Sequence, residues 1–504
     1  LPAGIYLCGP LTMQSCVNLQ IDPGAILRML PIDRYPGGTT SPAHFISGAN
    51  LHDIAISGAG AIDGQGQAWW DAFSANKSVA RPKMIYFSAC TRMLIQSVTL
   101  SNSPMFHIAT DNAWNATVNG VSVIAPPSSG VPNPSHNTDA CDIGGTNVAV
   151  ANSYFSVGDD NYACSGGTHD VLLTNNVYGT GHGLSIGSYT SAGVSNFTVI
   201  NCTFNGTSTG IRIKSDNDRG GIVQNMNYLN LTMTNVAQPI VVYAYYNEIG
   251  SPGNVTPQQA ANQPVAAATS LTPSFRNITF SNIPATASSG TGYSAGIVWG
   301  RTELPVTNVV FDTVNITSDM GWNLYNVQGA RFIDCHVMSR NGDATCSLFN
   351  AQVIVTNRVP LNSLFTFDGL TTNGYGNELQ LFNAQGALTV TNALAGGPLT
   401  LAASSLTVSN SLALPPNNIL NYTLGSAPAT LVVNGDLQLG GVINLTAGPG
   451  FTNGIYPLVN CAGKLSGPLP TLGSTPANFL CALSTNAAGQ LLLVASSAAN
   501  GGAT

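Results

Sequence analysis

The sequence predicts an all-β protein, a right-handed parallel β-helix followed by a β-rich C-terminal extension, and three observations carry that prediction. Charged residues make up only 7% of the 504 positions and apolar residues 44%, whereas an ordinary soluble domain is roughly 25% charged. Glu, Lys and Arg populate exposed helix faces, so their scarcity speaks against a helical protein. Ample Val, Ile, Leu and Phe speak against disorder. Finally, short β-type segments of one shape recur along the chain, the mark of a solenoid.

The recurring segments are residues 147–152 (NVAVAN), 170–175 (DVLLTN), 196–201 (NFTVIN), 225–230 (NMNYLN) and 277–282 (NITFSN). Their starts lie 23, 26 and 29 residues apart, then 52, where an insertion rich in Pro, Gln and Ala intervenes at 251–273. Each unit reads as one coil, with apolar residues alternating into a shared core before a turn. A single coil cannot bury its apolar face alone, so stacking must stabilise it. Asn recurring at one point of the coil tolerates left-handed backbone, and stacked amides can bond to one another. Variable coil length and the lack of a leucine frame favour a β-helix over other solenoids. The Asn-x-Ser/Thr triplets at Asn196, Asn201, Asn230 and Asn277 are expected as by-products of such a ladder more often than as glycan acceptors.

Past about Asn350 charge almost vanishes, and segments such as 386–390 (GALTV) and 431–437 (LVVNGDL) continue as β-structure with small-residue turns. The expected division is therefore 1–350, the β-helix that carries the chemistry, and 351–504, a β-rich region with no cluster of titratable groups. Lys and Arg total 15 against 22 acids, a net charge of -7. No basic stripe exists, which argues against binding nucleic acid by phosphate neutralisation, so no nucleic-acid partner is expected. No apolar run reaches the ~20 residues of a membrane span. The first residues show neither a charged n-region nor an h-region, so a signal peptide is expected to have been removed already or never included. Ten cysteines include no CxxC pair, hence no zinc or redox spacing. Their even number and the Asn/Thr/Ser surface suit a secreted, extracellular protein, with the pairing left open. A monomer is expected.

Chemistry concentrates in one span. Asn137-Thr138-Asp139 is followed by Gly158-Asp159-Asp160, Gly181-His182-Gly183 and Arg212-Ile213-Lys214. From Asp139 to Asp160 is 21 residues and from Asp160 to His182 is 22, each near one coil. Residues one coil apart lie about 4.8 Å above one another. Asp139, Asp159, Asp160 and His182 should therefore share a face, with Arg212 and Lys214, at i and i+2, on the next coil. Clustered carboxylates push at least one pKa upward, giving the protonated and ionised pair that acid/base chemistry uses. A cationic pair beside them can hold an anion. Singly these motifs are weak, since Asp-Asp is usually a solvated turn, Gly-His-Gly a tight turn, and Arg-x-Lys an exposed strand face. Their order, spacing and mixed charge together point to a functional site. Calcium bound through Asp oxygens is the chemical alternative, and Arg212, Lys214 and His182 count against it. Adjacent strand residues face opposite ways, so Asp159 and Asp160 can act together only if the chain bends, which Gly158 would permit.

This motif set resembles that of the polygalacturonases, glycoside hydrolase family 28. Its flanks agree, in 60–66 (GAIDGQG) with Trp69 and Trp70, 103–107 (SPMFH) and 181–188 (GHGLSIGS). Residues 210–215 (GIRIKS) and 239–242 (PIVV) are similar to the bacterial endo-acting members. The likeness runs from Leu1 to about Cys335. It implies hydrolysis of α-1,4 bonds between galacturonic acid units in polygalacturonate or pectin, with inversion, by endo action and without a metal or other cofactor. It implies Asp159 as the general acid, Asp139 and Asp160 as the carboxylates that activate water, and His182 as the residue maintaining the acid's protonation. Arg212 and Lys214 would bind the substrate carboxylate, one as a fork and one as a point charge. Asn137 would support the cluster by hydrogen bonding. Tyr246 matches a substrate-binding tyrosine, with Tyr243 and Tyr245 competing for the role. Inversion predicts carboxyl separations of about 6.5–9.5 Å at the widest pairing. The usual first coil and capping helix before Leu1 are missing, which would leave one end of the core open. The insertion between Tyr246 and Phe275 bears on endo against exo action, and the tail has no counterpart. Exo-polygalacturonase, calcium-dependent pectate lyase on the same scaffold and a non-catalytic β-helix adhesin are the alternatives.

Overall fold

The computed structural model describes residues 1–131, 134–250, 252–253, 255–342 and 346–356, strand backbone at intervals between 365 and 408, and 411–498 except 415, 417 and 427. It divides into two compact units, Leu1–Pro252 with Ala267–Thr291, and Gly253–Ala266 with Gly292–Thr504.

The first unit is the expected right-handed parallel β-helix. Three strand columns run along it. One, here termed the floor sheet, stacks Ile46–Ala49, Ile85–Ser88, the first part of Ile108–Asn119, the first part of Cys141–Ala151, Tyr162–Cys164, Leu184–Ile186, Thr209–Lys214 and Gln238–Tyr243, all parallel. A second contains Thr168–Thr174, Val194–Ile200, Ile222–Leu229 and Ser274–Ala287. The third contains Tyr154–Ser156, Val177–Tyr178 and Thr203–Asn205. Alternation sends every second side chain inward, where like stacks on like. Val148, Val171, Phe197, Met226 and Ile278 follow one another in register, each at most 3% exposed. Burying such a side chain contributes roughly 1.5–3 kcal/mol. Tyr228 stacks on Phe280 at 5.1 Å, and Phe155 on Tyr178 at 5.7 Å.

The recurring Asn positions are the corners between columns. Asn147, Asp170, Asn196, Asn225 and Asn277 all have φ of 55–59°, and Asn152, Asn175, Asn201, Asn230 and Asn282 have φ of 53–57°. Their side chains bond from rung to rung: Asn225 Nδ2 donates to Asn196 Oδ1 at 3.2 Å, Asn230 Nδ2 to Asn201 Oδ1 at 3.2 Å, and Asn277 Nδ2 to Asn225 Oδ1 at 3.2 Å. The amides of the Asn-x-Ser/Thr triplets are thus ladder groups. No disulfide framework exists, because all ten cysteines are free thiols. Most act as small apolar core residues instead, as Cys202 does at 1% exposure.

In the second unit, parallel rungs continue across residue 350, from Met320–Ile333 through Cys346–Thr356 to Glu378–Phe382. They continue as far as Val442–Ala447 on Thr471–Leu472. Strand Gln490–Ser497 then pairs antiparallel with both Gly454–Cys461 and Phe479–Thr485. Of the tail segments expected to be β, 388–392 form a strand, while 386–387 lie outside the described residues. The central part of the insertion belongs here. Its helix Pro257–Ala261 begins at a capping box on Thr256, and the Val255 carbonyl accepts from Asn323 Nδ2 (3.2 Å) and Tyr325 OH (2.6 Å). Among the described residues no helix is long and apolar enough to cross a membrane.

Candidate active site

The acidic cluster arises where the helical wall departs from strand. Between Tyr154–Ser156 and Tyr162–Cys164 the chain bends at Gly158. A Cβ there would sit 2.1 Å from Ser135 Oγ and 2.3 Å from its carbonyl, so only glycine lets the two segments approach. Thr138 Oγ1 holds the bend by accepting from the Gly158 N–H at 3.0 Å. The bend does what the sequence required of it, since Asp159 and Asp160 face one imidazole. His182 Nδ1 lies 3.0 Å from Asp159 Oδ1 and 3.7 Å from Asp160 Oδ1.

Arg212 and Lys214 point to the same place from strand Thr209–Lys214. Arg212 Nη2 donates to Asp160 Oδ1 at 2.5 Å, and Lys214 Nζ lies 3.6 Å from Asp160 Oδ2. Asp160 is 5% exposed. Burial alone would raise its pKa, but the charges of Arg212, Lys214 and His182 outweigh that and hold it below the usual carboxylate range. Asp139, 6% exposed, goes the other way. Burial first, and then the negative charges of Asp159, Asp160 and Asp142, hold its carboxyl well above the usual value. Its Oδ1 is buried without a hydrogen-bond partner. The cluster thus drives two of its carboxyls in opposite directions, Asp139 up and Asp160 down.

Asn137, left-handed at φ 55°, donates to Asp159 Oδ2 from its backbone N–H (3.2 Å) and from Nδ2 (3.4 Å). Of the three tyrosines, Tyr243 and Tyr245 are buried at 1% and 0% exposure. Tyr246 is half-buried, with its ring 5.2 Å from Lys214 Nζ. The eight residues singled out in the sequence thus converge.

Two neighbours were not singled out. Arg81, 8% exposed, orients the Asn137 amide by donating from Nη2 to Oδ1 at 2.7 Å, and also donates to the His136 carbonyl at 2.5 Å. Its guanidinium lies 3.7 Å over the Phe73 ring. Burial brings its pKa down to about 10, still fully cationic near neutrality. Asp142 stands on the floor sheet, and burial pushes its carboxyl up to about 6 against the opposing charge of Lys83. Alternation around Cys141 and Ile143 could have flagged Asp142 as outward-facing; nothing local flags Arg81.

Two groups could offer metal ligands among the described residues. Asp159, Asp160 and His182 are close enough, but Arg212 and Lys214 already neutralise Asp160, and a dication would face both. Exposed Cys16, His52 and Asp53 form the other group, with both Asp53 oxygens held by Arg92 at 2.6 Å.

Comparison with known proteins agrees with this geometry. Residues 34–335 match the family described as glycosyl hydrolases family 28. An endo-polygalacturonase of Pectobacterium carotovorum subsp. carotovorum is 30% identical over 364 residues, covering 64% of this chain and 81% of that protein. A polygalacturonase of Ralstonia solanacearum is 32% identical over 373 residues, covering 61% and 67%. The solved family 28 exopolygalacturonase of Yersinia enterocolitica superposes with a TM-score of 0.56 at 20% identity, covering 71% of this chain and 72% of that one; it supports the fold. With the family match spanning more than half the chain, the protein belongs to glycosyl hydrolases family 28 and is a glycoside hydrolase.

Proposed function

We propose that the protein hydrolyses α-1,4 bonds between galacturonate units of polygalacturonate or de-esterified pectin, within the chain and with inversion. It would act as a secreted monomer, with residues 1–350 as the catalytic portion. The observation that carries this reading is the union of three carboxyl groups with His182, Arg212 and Lys214 in one cluster. The names of the bacterial relatives support the substrate class, and the first supports endo action. The family match over 34–335 supports the catalytic extent, and the charge-poor surface supports secretion.

Asp160, ionised, is suited to accept a proton from water. Asp159, with its side chain 21% exposed, is the most accessible of the three and is placed to protonate a leaving oxygen. Asp139 completes the base side. His182 bridges the two adjacent carboxylates and couples them. Arg212 can share its fork between Asp160 and a substrate carboxylate. Lys214 adds a point charge, Tyr246 a ring face for the sugar, and Asn137, held by Arg81, keeps Asp159 oriented.

Purified protein on polygalacturonate tests the reading. Expected are new reducing ends without ultraviolet-absorbing unsaturated ends, activity that survives chelation, early production of intermediate-length oligomers and an inverted anomeric signal by NMR. Asp159→Asn should lose roughly 10²–10⁴ in rate with binding retained. Unsaturated, chelator-sensitive products would mean a lyase, products of only one or two units exo action, and binding without cleavage an adhesin.

A further inference from the structure

The floor sheet continues well beyond the acidic cluster. Arg212 is in register with Ser185, Ser185 with Ala163, Ala163 with Asp142, Asp142 with Ala109, and Ala109 with Tyr86. These residues alternate with inward-facing ones such as Ile85, Ile108 and Leu184, so all face outward in a single row. Five rungs separate Arg212 from Tyr86, about 24 Å at the usual strand spacing. Between them the row holds small residues, serine and alanine, with Asp142. Ser185, Ala163 and Ala109 are only 0%, 7% and 2% exposed, so contacts to a polymer running along this row would come from the larger side chains at its ends, Arg212 and Tyr86.

At Tyr86 stands a second cation. Lys83 Nζ lies 4.4 Å from the Tyr86 ring centroid and 5.3 Å from that of Phe106, and all three residues are half-buried. Lys83 forms no ion pair among the described residues. Its backbone is anchored, because its N–H donates to His44 Nδ1 at 3.1 Å, and the His44 ring packs on Tyr86 at 4.6 Å. Tyr86 OH donates in turn to Asp111 Oδ2. The combination is the one found at the acidic cluster, where Lys214 stands over Tyr246: an ammonium for a carboxylate, beside an aromatic face for the apolar side of a sugar. In a chain with only 15 Lys and Arg, two such pairs on one sheet are informative.

We propose that Lys83, with Tyr86 and Phe106, forms a distal uronate-binding subsite on the floor sheet, reached only by a saccharide long enough to extend several units from Arg212 and Lys214 toward the N-terminal coils. The proposal rests on the polyuronate reading of the site.

The test compares wild type, Lys83→Ala and Lys83→Arg on oligogalacturonides of increasing length and on polygalacturonate. Calorimetric binding of the same oligomers is measured in an Asp159→Asn background. For wild type, affinity and kcat/KM should step upward at the length that first reaches Lys83. Lys83→Ala should remove that step, with about a tenfold loss on the polymer and a loss within twofold on the shortest cleaved oligomers. Lys83→Arg should retain most of the step. An equal loss at every length, or none at any, overturns the subsite. If wild type cleaves nothing but a Lys83-dependent step persists in binding, the hydrolytic reading fails and the subsite stands. If wild type hydrolyses polygalacturonate with no such step, the reverse holds.

Discussion

Two lines of polar side chains climb the same coils under opposite rules. Along the corner lines one residue type repeats: Asn152 and Asn175, then Asn201, Asn230 and Asn282, each left-handed and most bonded to the rung below. A neutral amide donates in one direction and accepts in the other, so any number can stack without accumulating charge. Along the other line Asp139, Asp159 with Asp160, His182, and Arg212 with Lys214 change at every rung. The first coils show how the corner tolerates charge. Asp53 and Arg92, both left-handed at φ 56° and 54°, take the ladder position as an ion pair. That pair is exposed, with His52 Nδ1 also 2.8 Å from the Asp53 carboxylate. The acidic cluster is buried and unevenly matched, which raises Asp139 while lowering Asp160. Repetition down a solenoid thus serves stability, and a break in the repetition within an unbroken register marks chemistry.

The largest expected difference between the lines comes from removing one cation from each. Arg212→Gln leaves Asp160 buried with Lys214 at 3.6 Å as its nearest remaining cation. Breaking such a buried pair costs about 3–5 kcal/mol, and hydrolysis should fall with it. Arg92→Gln frees an exposed, solvent-screened carboxylate that still has His52 beside it, and should leave stability nearly unchanged. Urea midpoints of the two variants decide this, and similar costs would erase the distinction.

How much of this was legible in the sequence follows from which contacts obey the coil period. Asp139, Asp160 and His182 are spaced by one coil, so their convergence could be read from the spacing. Arg212 and Lys214 share a strand face by simple alternation. Arg81 obeys neither rule. Its partners, Pro104, His136 and Asn137, lie 23, 55 and 56 residues on in irregular turns, so only the folded chain brings them together. The choice of Tyr246 over Tyr243 and Tyr245 likewise needed burial, which three tyrosines within four residues do not reveal. Cysteine number misled in the opposite sense: an even count suggested pairing, whereas Cys90, Cys141, Cys164 and Cys202 are each at most 1% exposed and serve as packing.

Asp142 tests whether the floor sheet shares the electrostatics of the cluster. Its folded pKa, about 6, lies above the ordinary carboxylate value of 3.8. The native state therefore binds more protons than the unfolded chain between about pH 4 and 6, and stability falls as pH rises through that window. Asp142→Asn removes this loss. The variant should gain on wild type by about 2 kcal/mol between pH 4 and pH 7, measured by chemical denaturation at both values. A constant difference at the two pH values would mean that the carboxyl is solvated.

The smallest effect separates the two properties that make asparagine the corner residue. Asn201, at φ 57°, accepts from Asn230 Nδ2 at an exposed corner. Asn201→Ala loses both the amide bond and the tolerance of left-handed backbone, together about 1–2 kcal/mol. Asn201→Gly loses the bond but keeps the tolerance, so it should cost about 1 kcal/mol or less despite glycine's greater freedom in the unfolded chain. The expected order of denaturation midpoints is wild type, Gly, then Ala, with turnover of polygalacturonate unaltered in all three. If Gly proves as costly as Ala, the stacked amides hold the corner and handedness adds little. Asn would then recur because it bonds along the ladder, which glycine cannot do.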